Sequence, residues 1–184
     1  MGSPEFSIPS LLYLIESEHK ILCVYTQPPK KKSRGHKITK TPVHIFSEKS
    51  NLIVRTNKLT QDQEYKEFVN FKPDLVVVVA YGQIIPEKYL NIPNLIFLNL
   101  HASLLPKWRG AAPIERAILN KDKETGISIM KIEKKLDAGP YIKQVNVKIS
   151  KKTTSGELLK KLSKIGSNAL ADSIKMINSK KAIF

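Results

Sequence analysis

The chain has 184 residues, of which 41% are hydrophobic and 26% charged, and is long enough to bury the core of a globular domain. No stretch approaches the roughly 18 consecutive apolar residues of a membrane-spanning helix. The amino terminus also lacks the basic-then-apolar layout of a secretory signal, so we expect a cytoplasmic protein without a membrane partner. Lysine and arginine number 31 against 16 acidic residues, and the resulting net charge of +15 favours a polyanionic partner.

Hydrophobic periodicity predicts strands and helices that alternate along the chain. Helical spacing and helix-start signals predict helices over residues 8–18, 42–49, 60–70, 113–120 and 154–178, the last of them capped by Thr154 or Ser155. Apolar runs predict strands at 21–25, 52–54, 75–80 and 95–98, and polar–apolar alternation predicts half-exposed strands at 125–132 and 141–149. We therefore expect an α/β domain with a doubly wound, mostly parallel, Rossmann-like sheet and helices on both faces.

Two polar residues follow the buried strand at 95–98. Because side chains alternate along a strand, Asn99 and His101 point to one side and Leu100 to the other. Ligands of open α/β sheets bind at the carboxyl ends of the strands. An amide that can donate to a carbonyl oxygen and an imidazole that can carry a proton therefore face one site, which suits acyl-type transfer. His101 has no second ligand at the usual spacing, so we expect no metal.

Asn99 and His101 belong to the first of two motifs in the chain. The first is Asn-x-His-x-Ser-Leu-Leu-Pro, in which Ser103, Leu104, Leu105 and Pro106 form a sharp turn that offers backbone groups to a ligand. The second is Leu-Asp-x-Gly, which contains Asp137. In this order the motifs resemble those of the formyltransferases that use 10-formyltetrahydrofolate. The resemblance implies the formyltransferase fold, Asn99, His101 and Asp137 as catalytic residues, and contact between the 103–106 turn and the folate.

The residues after the first motif resemble one branch of this family in particular. Trp108 to Pro113 read Trp-Arg-Gly-Ala-Ala-Pro and are similar to the branch of the family that formylates initiator methionyl-tRNA. Residues 2–7, 25–28 and 80–86 are similar to the same branch. The resemblance therefore implies initiator methionyl-tRNA and the folate as partners, and a role in translation initiation. We expect a monomer.

A cluster of cations at residues 30–37 supports an RNA partner. It lies in a loop just after a predicted strand, on the edge of the sheet that carries the site, where lysine and arginine can meet RNA phosphate. The resemblance assigns Arg34 to the acceptor end of the tRNA. Ser33 stands where the family usually has a second glycine.

Two other functions stay open at this point. The chain could formylate a small amine, such as glycinamide ribonucleotide or an amino sugar, although Trp108 to Pro113 and the basic loop argue against it. It could also be an inactive, truncated remnant.

The ends of the sequence bear on that last alternative. Family members have a strand before the Gly-Ser-Pro-Glu-Phe turn and continue into a β-barrel domain that helps hold tRNA. We therefore expect residues 1–184 to be the formyltransferase catalytic domain alone, without that strand and without the barrel. The missing strand would leave buried backbone groups unpaired between residues 21–25 and 75–80, at about 1–3 kcal/mol each, so we expect poor folding.

Overall fold

Strands and helices alternate in the computed structural model, which describes residues 1–32 and 37–183. The chain divides into two compact units, Met1–Leu95 and Ile96–Phe184. The α/β class predicted from the sequence is confirmed. No described helix is both long and apolar enough to cross a membrane.

The first unit combines short strands with short helices. Its strands are β1 (Val24–Tyr25), β2 (Lys30–Lys32), β3 (Lys37–Thr39), β4 (Val54–Arg55) and β5 (Leu75–Val79). Its helices are a 3₁₀ turn at Glu5–Ser7 and α1 (Ile8–Glu16), α2 (Pro42–Lys49), α3 (Asp62–Asn70) and α4 (Glu87–Leu90). Strands β1 and β4 pair in parallel, and β2 and β3 form an antiparallel pair.

Local sequence signals explain where α2 begins. Pro42 occupies the first turn, where its missing N–H costs nothing. Thr41 caps the helix, because its hydroxyl oxygen accepts a hydrogen bond from the backbone N–H of His44 at 3.1 Å. The helix then packs Val43 into a core with Leu11 of α1 and Val24 of β1.

The first two residues of the chain pair with both β1 and β5. Gly2 donates its N–H to the carbonyl of Tyr25 at 2.9 Å, and Val79 donates to the carbonyl of Met1 at 2.9 Å. The amino group of Met1 donates to the carbonyl of Val77 at 2.6 Å. The carbonyls of Tyr25 and Val77 and the N–H of Val79 were among the groups expected to be buried without partners, and they have partners here. The poor folding of the chain stays a prediction.

The second unit is built on three antiparallel strands. Its elements are β6 (Ile96–His101), α5 (Pro113–Leu119), β7 (Glu124–Lys131), β8 (Tyr141–Lys148) and α6 (Ser155–Asn178). Strand β7 lies between β6 and β8, and the register sets Ser128 opposite both His101 and Gln144. Opposite residues of antiparallel strands share a face, so these three side chains form a polar row across the sheet.

Helix α6 covers the other face of this sheet. It begins with a capping box in which Thr154 and Glu157 each bond the other's backbone N–H. Its Gly166 allows close packing: a Cβ there would lie 2.8 Å from Leu100 Cδ1 and 3.3 Å from Ile127 Cδ1. Leu100 thus faces the helix, as the predicted alternation requires.

Two predictions about the strands need correction. Strand β7 is buried along almost its whole length rather than half-exposed. The reason is that α6 packs on one face of it, while the 103–106 turn packs on the other, where a Cβ at Gly126 would lie 2.5 Å from Leu104. The antiparallel β2–β3 pair, with its run of lysines, was not predicted as strand at all.

Candidate active site

His101 lies at the end of β6 with both ring nitrogens near oxygen atoms. Its side chain is 7% exposed. Nε2 is 2.9 Å from the backbone carbonyl of Trp108, and because a carbonyl only accepts, Nε2 is the nitrogen that carries the proton. Nδ1 lies 3.7 Å from Oδ2 of Asp137, beyond hydrogen-bond distance but within electrostatic reach. The carboxylate therefore faces the ring nitrogen that carries no proton.

Asp137 reaches the site from the loop between β7 and β8. Its Oδ2 accepts a hydrogen bond from the backbone N–H of Gly110 at 2.8 Å, so the loops that carry the two sequence motifs are joined at this oxygen. Gly139, the last residue of the second motif, lies where a Cβ would be 2.1 Å from the carbonyl oxygen of Lys131. The glycine of that motif is therefore required by the close approach of the loop to β7.

Asn99 stands two residues before His101 on the same face of β6. It is half-buried, and its side-chain amide makes no hydrogen bond to any residue in the part of the chain that the structure describes. An amide N–H that is held by a strand and has no internal partner is available to a carbonyl oxygen that enters the site.

The 103–106 turn is held from β7 and β8. The hydroxyl of Ser128 donates to the carbonyl of Ser103 at 2.7 Å and accepts from the N–H of Leu105 at 3.0 Å. The amide of Gln144 donates to the carbonyl of Leu105 and to the Ser128 hydroxyl, both at 2.9 Å. The peptide bond from Leu105 to Pro106 is cis. These backbone groups are thus bonded within the protein, and they fix the position of the turn.

The structure brings together most of the residues singled out in the sequence. His101 and Asp137 face each other, Asn99 lies on the face of His101, and the 103–106 turn is anchored by Ser128, which lies opposite His101. Arg34 lies outside the described residues. Among the described residues no group of three or more His, Cys, Asp or Glu side chains is placed to hold a metal ion.

Ser128 and Gln144 are not among the residues that the sequence motifs contain. Ser128 carried no signal of its own, because it stands at a polar position of 125–132, a strand predicted to be half-exposed, where polar residues are ordinary. The same holds for Gln144 in the predicted half-exposed strand 141–149. The hydrogen bonds of the Trp108 carbonyl and the Gly110 N–H depend on loop conformation, which spacing does not reveal.

Comparison with known sequences gives a consistent result. Residues 3–174 match the family described as formyl transferase. Methionyl-tRNA formyltransferase of Pelagibacter ubique (strain HTCC1062) is 48% identical over 186 residues, covering 100% of this chain and 60% of that protein. The protein of the same name from Wolbachia sp. subsp. Drosophila simulans (strain wRi) is 48% identical over 179 residues, covering 97% and 59%. The chain thus spans about 60% of the length of these curated relatives.

Solved structures share the fold at lower sequence identity. Phosphoribosylglycinamide formyltransferase from Anaplasma phagocytophilum superimposes with a TM-score of 0.78 at 21% identity, over 98% of this chain and 85% of that one. A sugar 3N-formyl transferase, solved in the presence of dTDP and 5-N-formyl-THF, gives 0.72 at 20% identity, over 99% and 62%. The family match includes both motifs and the whole of the sheet that carries them, and the chain belongs to the formyl transferase family.

Proposed function

We propose that this chain transfers a formyl group from 10-formyltetrahydrofolate to the amino group of methionine on initiator methionyl-tRNA. The observation that carries the proposal is that the free amide of Asn99, the oriented imidazole of His101 and the carboxylate of Asp137 lie on one face at the end of β6. The identity of 48% with methionyl-tRNA formyltransferase of Pelagibacter ubique supports the choice of acceptor.

The folate supplies a formyl group whose carbon the methionine amine attacks. The amide of Asn99 donates a hydrogen bond to the formyl oxygen as negative charge develops on it. One such donor contributes about 2.7–4 kcal/mol to stabilising a transition state of this kind.

His101 manages the proton released by the attacking amine. Nε2 is bound to the Trp108 carbonyl, so Nδ1 is the nitrogen that takes the proton and passes it to the departing nitrogen as the old carbon–nitrogen bond breaks. The amine gains the formyl group and loses one proton, and the folate nitrogen loses the formyl group and gains one. Asp137, 3.7 Å from Nδ1, stabilises the imidazolium between these two transfers.

The residues around the site suit a folate that binds beside the 103–106 turn. Ser128 and Gln144 bond the turn from behind, so the turn presents a fixed surface rather than a mobile loop. Arg34, in the basic segment after β2, is the residue we propose to contact the tRNA. We propose no metal in the reaction and a monomeric enzyme.

The test is formylation of methionyl-tRNA by the purified chain with 10-formyltetrahydrofolate. We expect activity in the wild type, a loss of about 10²–10³ in kcat for Asn99→Ala, and a loss of about 10²–10⁴ for His101→Ala. Circular dichroism of each variant establishes that it is folded.

The same assay separates the alternatives. Faster formylation of glycinamide ribonucleotide or an amino sugar than of methionyl-tRNA would show that the acceptor is a small amine. A folded wild type without activity toward any of these acceptors would contradict the proposed reaction and favour an inactive remnant.

A further inference from the structure

Trp108 joins the catalytic histidine to a carboxylate on the far side of its loop. Its backbone carbonyl accepts a hydrogen bond from His101 Nε2 at 2.9 Å, and its indole Nε1 donates a hydrogen bond to Oδ2 of Asp122 at 2.7 Å. Trp108 has a φ of 58°, in the left-handed region that residues with a side chain rarely adopt. Such a conformation persists only where surrounding contacts enforce it.

Asp122 provides those contacts. Its side chain is 6% exposed. Besides the hydrogen bond from the indole, it forms an ion pair with the ammonium of Lys107 at 2.8 Å and accepts a hydrogen bond from the amide of Asn120 at 2.7 Å. Its backbone N–H donates to the carbonyl of Ala117 at the end of α5. Asp122 thus ties two consecutive loop residues, Lys107 and Trp108, to the end of a helix.

The charge on Asp122 is well stabilised. Burial alone would raise its pKa, but the hydrogen bonds from Lys107, Trp108 and Asn120 outweigh that effect and hold the pKa below its ordinary value. The carboxylate is therefore ionised at neutral pH, the form that accepts hydrogen bonds from all three neighbours.

We propose that Asp122 is a positioning residue of the active site, which acts through Trp108 to hold His101 in a single tautomer. With the indole fixed, the Trp108 carbonyl stays directed at Nε2, and Nε2 keeps its proton. Nδ1 is then left open on the side of Asp137, where the proposed reaction needs a base. The inference rests on the proposed function only for its effect on rate; the effect on the ring can be observed without substrate.

The test combines ring ¹⁵N NMR of His101 with kinetics in variants of the contact. In wild type at high pH, where imidazole is neutral, we expect the signals of the Nε2-protonated tautomer alone. Asp122→Ala removes the acceptor and Trp108→Phe removes the donor while keeping an aromatic ring. Each is expected to give a mixture of tautomers and a loss of about 10²-fold in kcat, with little change in KM for the folate.

Three further variants sharpen the test. In the double variant the kcat loss should be no larger than in either single one, because both break the same contact. Asp122→Asn, whose amide oxygen can still accept from the indole, should recover much of the rate and the single tautomer. Asp172→Ala is the matched control: it breaks an exposed ion pair with Lys143 and should leave ring signals and kcat unchanged.

The outcomes are distinguishable. A folded Asp122→Ala with the ring signals and kcat of wild type overturns the proposal, and so does a loss of stability with unchanged ring signals. Should Asp122→Ala fail to fold, Trp108→Phe decides by the same criteria. A tautomer shift in a chain that formylates no acceptor would keep the positioning role and refute the proposed function.

Discussion

At the scale of single residues, Ser128 links the sheet to the turn proposed to contact the folate. Its hydroxyl donates a hydrogen bond to the carbonyl of Ser103 and accepts hydrogen bonds from the N–H of Leu105 and the amide of Gln144. All of this takes place at a side chain with no exposed surface, so no water can replace a lost partner easily.

Ser128→Ala is therefore expected to lower the free energy of unfolding by about 1–3 kcal/mol, since the N–H of Leu105 and the carbonyl of Ser103 lose a buried partner. It should also raise KM for the folate more than it lowers kcat, because the turn rather than His101 is loosened. Urea denaturation and steady-state kinetics measure the two effects.

Ser173→Ala is the control for this prediction. Ser173 is equally buried, but among the described residues its hydroxyl bonds only to the carbonyl of Ala169 within α6. Ser173→Ala should therefore lower the free energy of unfolding by less than Ser128→Ala does. Equal losses of stability in the two variants, or an unchanged KM in Ser128→Ala, would contradict the role given to Ser128.

The sequence predicts the reactive residues of the site, but it does not predict the residues that hold them in position. Asn99, His101 and Asp137 stand in motifs whose residue types themselves suggest the chemistry. Ser128 and Asp122 act through hydrogen bonds to residues distant in the chain, or to a loop in a rare conformation. Neither hydrophobic periodicity nor spacing carries that information.

At the scale of secondary-structure elements, α3 is tied to β1 and β4 through one buried carboxylate. Glu64 accepts hydrogen bonds from the hydroxyl of Tyr25 at 2.6 Å, from two guanidinium nitrogens of Arg55 at 2.5 and 2.8 Å, and from the amide of Asn57 at 2.7 Å. Burial alone would raise the pKa of Glu64, but these hydrogen bonds outweigh it and hold the pKa below its ordinary value.

The direction of this shift determines how stability depends on pH. A carboxyl group with a lowered pKa in the folded state contributes stability above its unfolded pKa of about 4.3 and loses it as the pH falls through the folded value. Glu64→Gln should therefore lower the free energy of unfolding by about 3–5 kcal/mol at pH 7. The difference from wild type should shrink below about pH 4.

Chemical denaturation followed by circular dichroism at both pH values checks this expectation. Glu48→Gln serves as the control, because Glu48 pairs with Lys40 at the surface and such pairs contribute little. A wild type-to-variant difference that does not change with pH would show that Glu64 does not contribute through its charge.

Elements whose signals are local matched the sequence analysis closely. Helix α2 has the predicted bounds because Thr41 and Pro42 mark its start by themselves, and α6 is capped by Thr154, one of the two predicted cap residues. Strand β7 differs in burial, because its environment depends on a helix that follows it by many residues. The β2–β3 pair was missed because lysine is not a residue that favours strands.

At the scale of the whole molecule, the net charge of +15 is the property with the plainest consequence for binding. Each phosphate that a lysine or arginine neutralises releases a condensed counterion, so affinity for a nucleic acid falls with salt. If the chain binds tRNA as proposed, that affinity should depend steeply on ionic strength.

We expect the logarithm of the tRNA association constant to fall linearly with the logarithm of salt concentration. For about 6–10 phosphate contacts the loss between about 50 and 200 mM salt is roughly 10³–10⁵. Filter binding at several salt concentrations measures the slope, and thermal unfolding at the same concentrations controls for stability. A flat dependence would show that the excess of lysine does not serve an RNA interface.

The register of β7 has a consequence for how the proposed site forms. The alignment that sets Ser128 opposite His101 and Gln144 also directs Ile127 and Ile129 toward α6. A slip of one residue would reverse both faces, burying the polar row under the helix and turning the isoleucines toward the proposed site. The hydrophobic effect therefore penalises such a slip, and the strand pairing that buries the isoleucines is the same pairing that assembles the polar row of the proposed site.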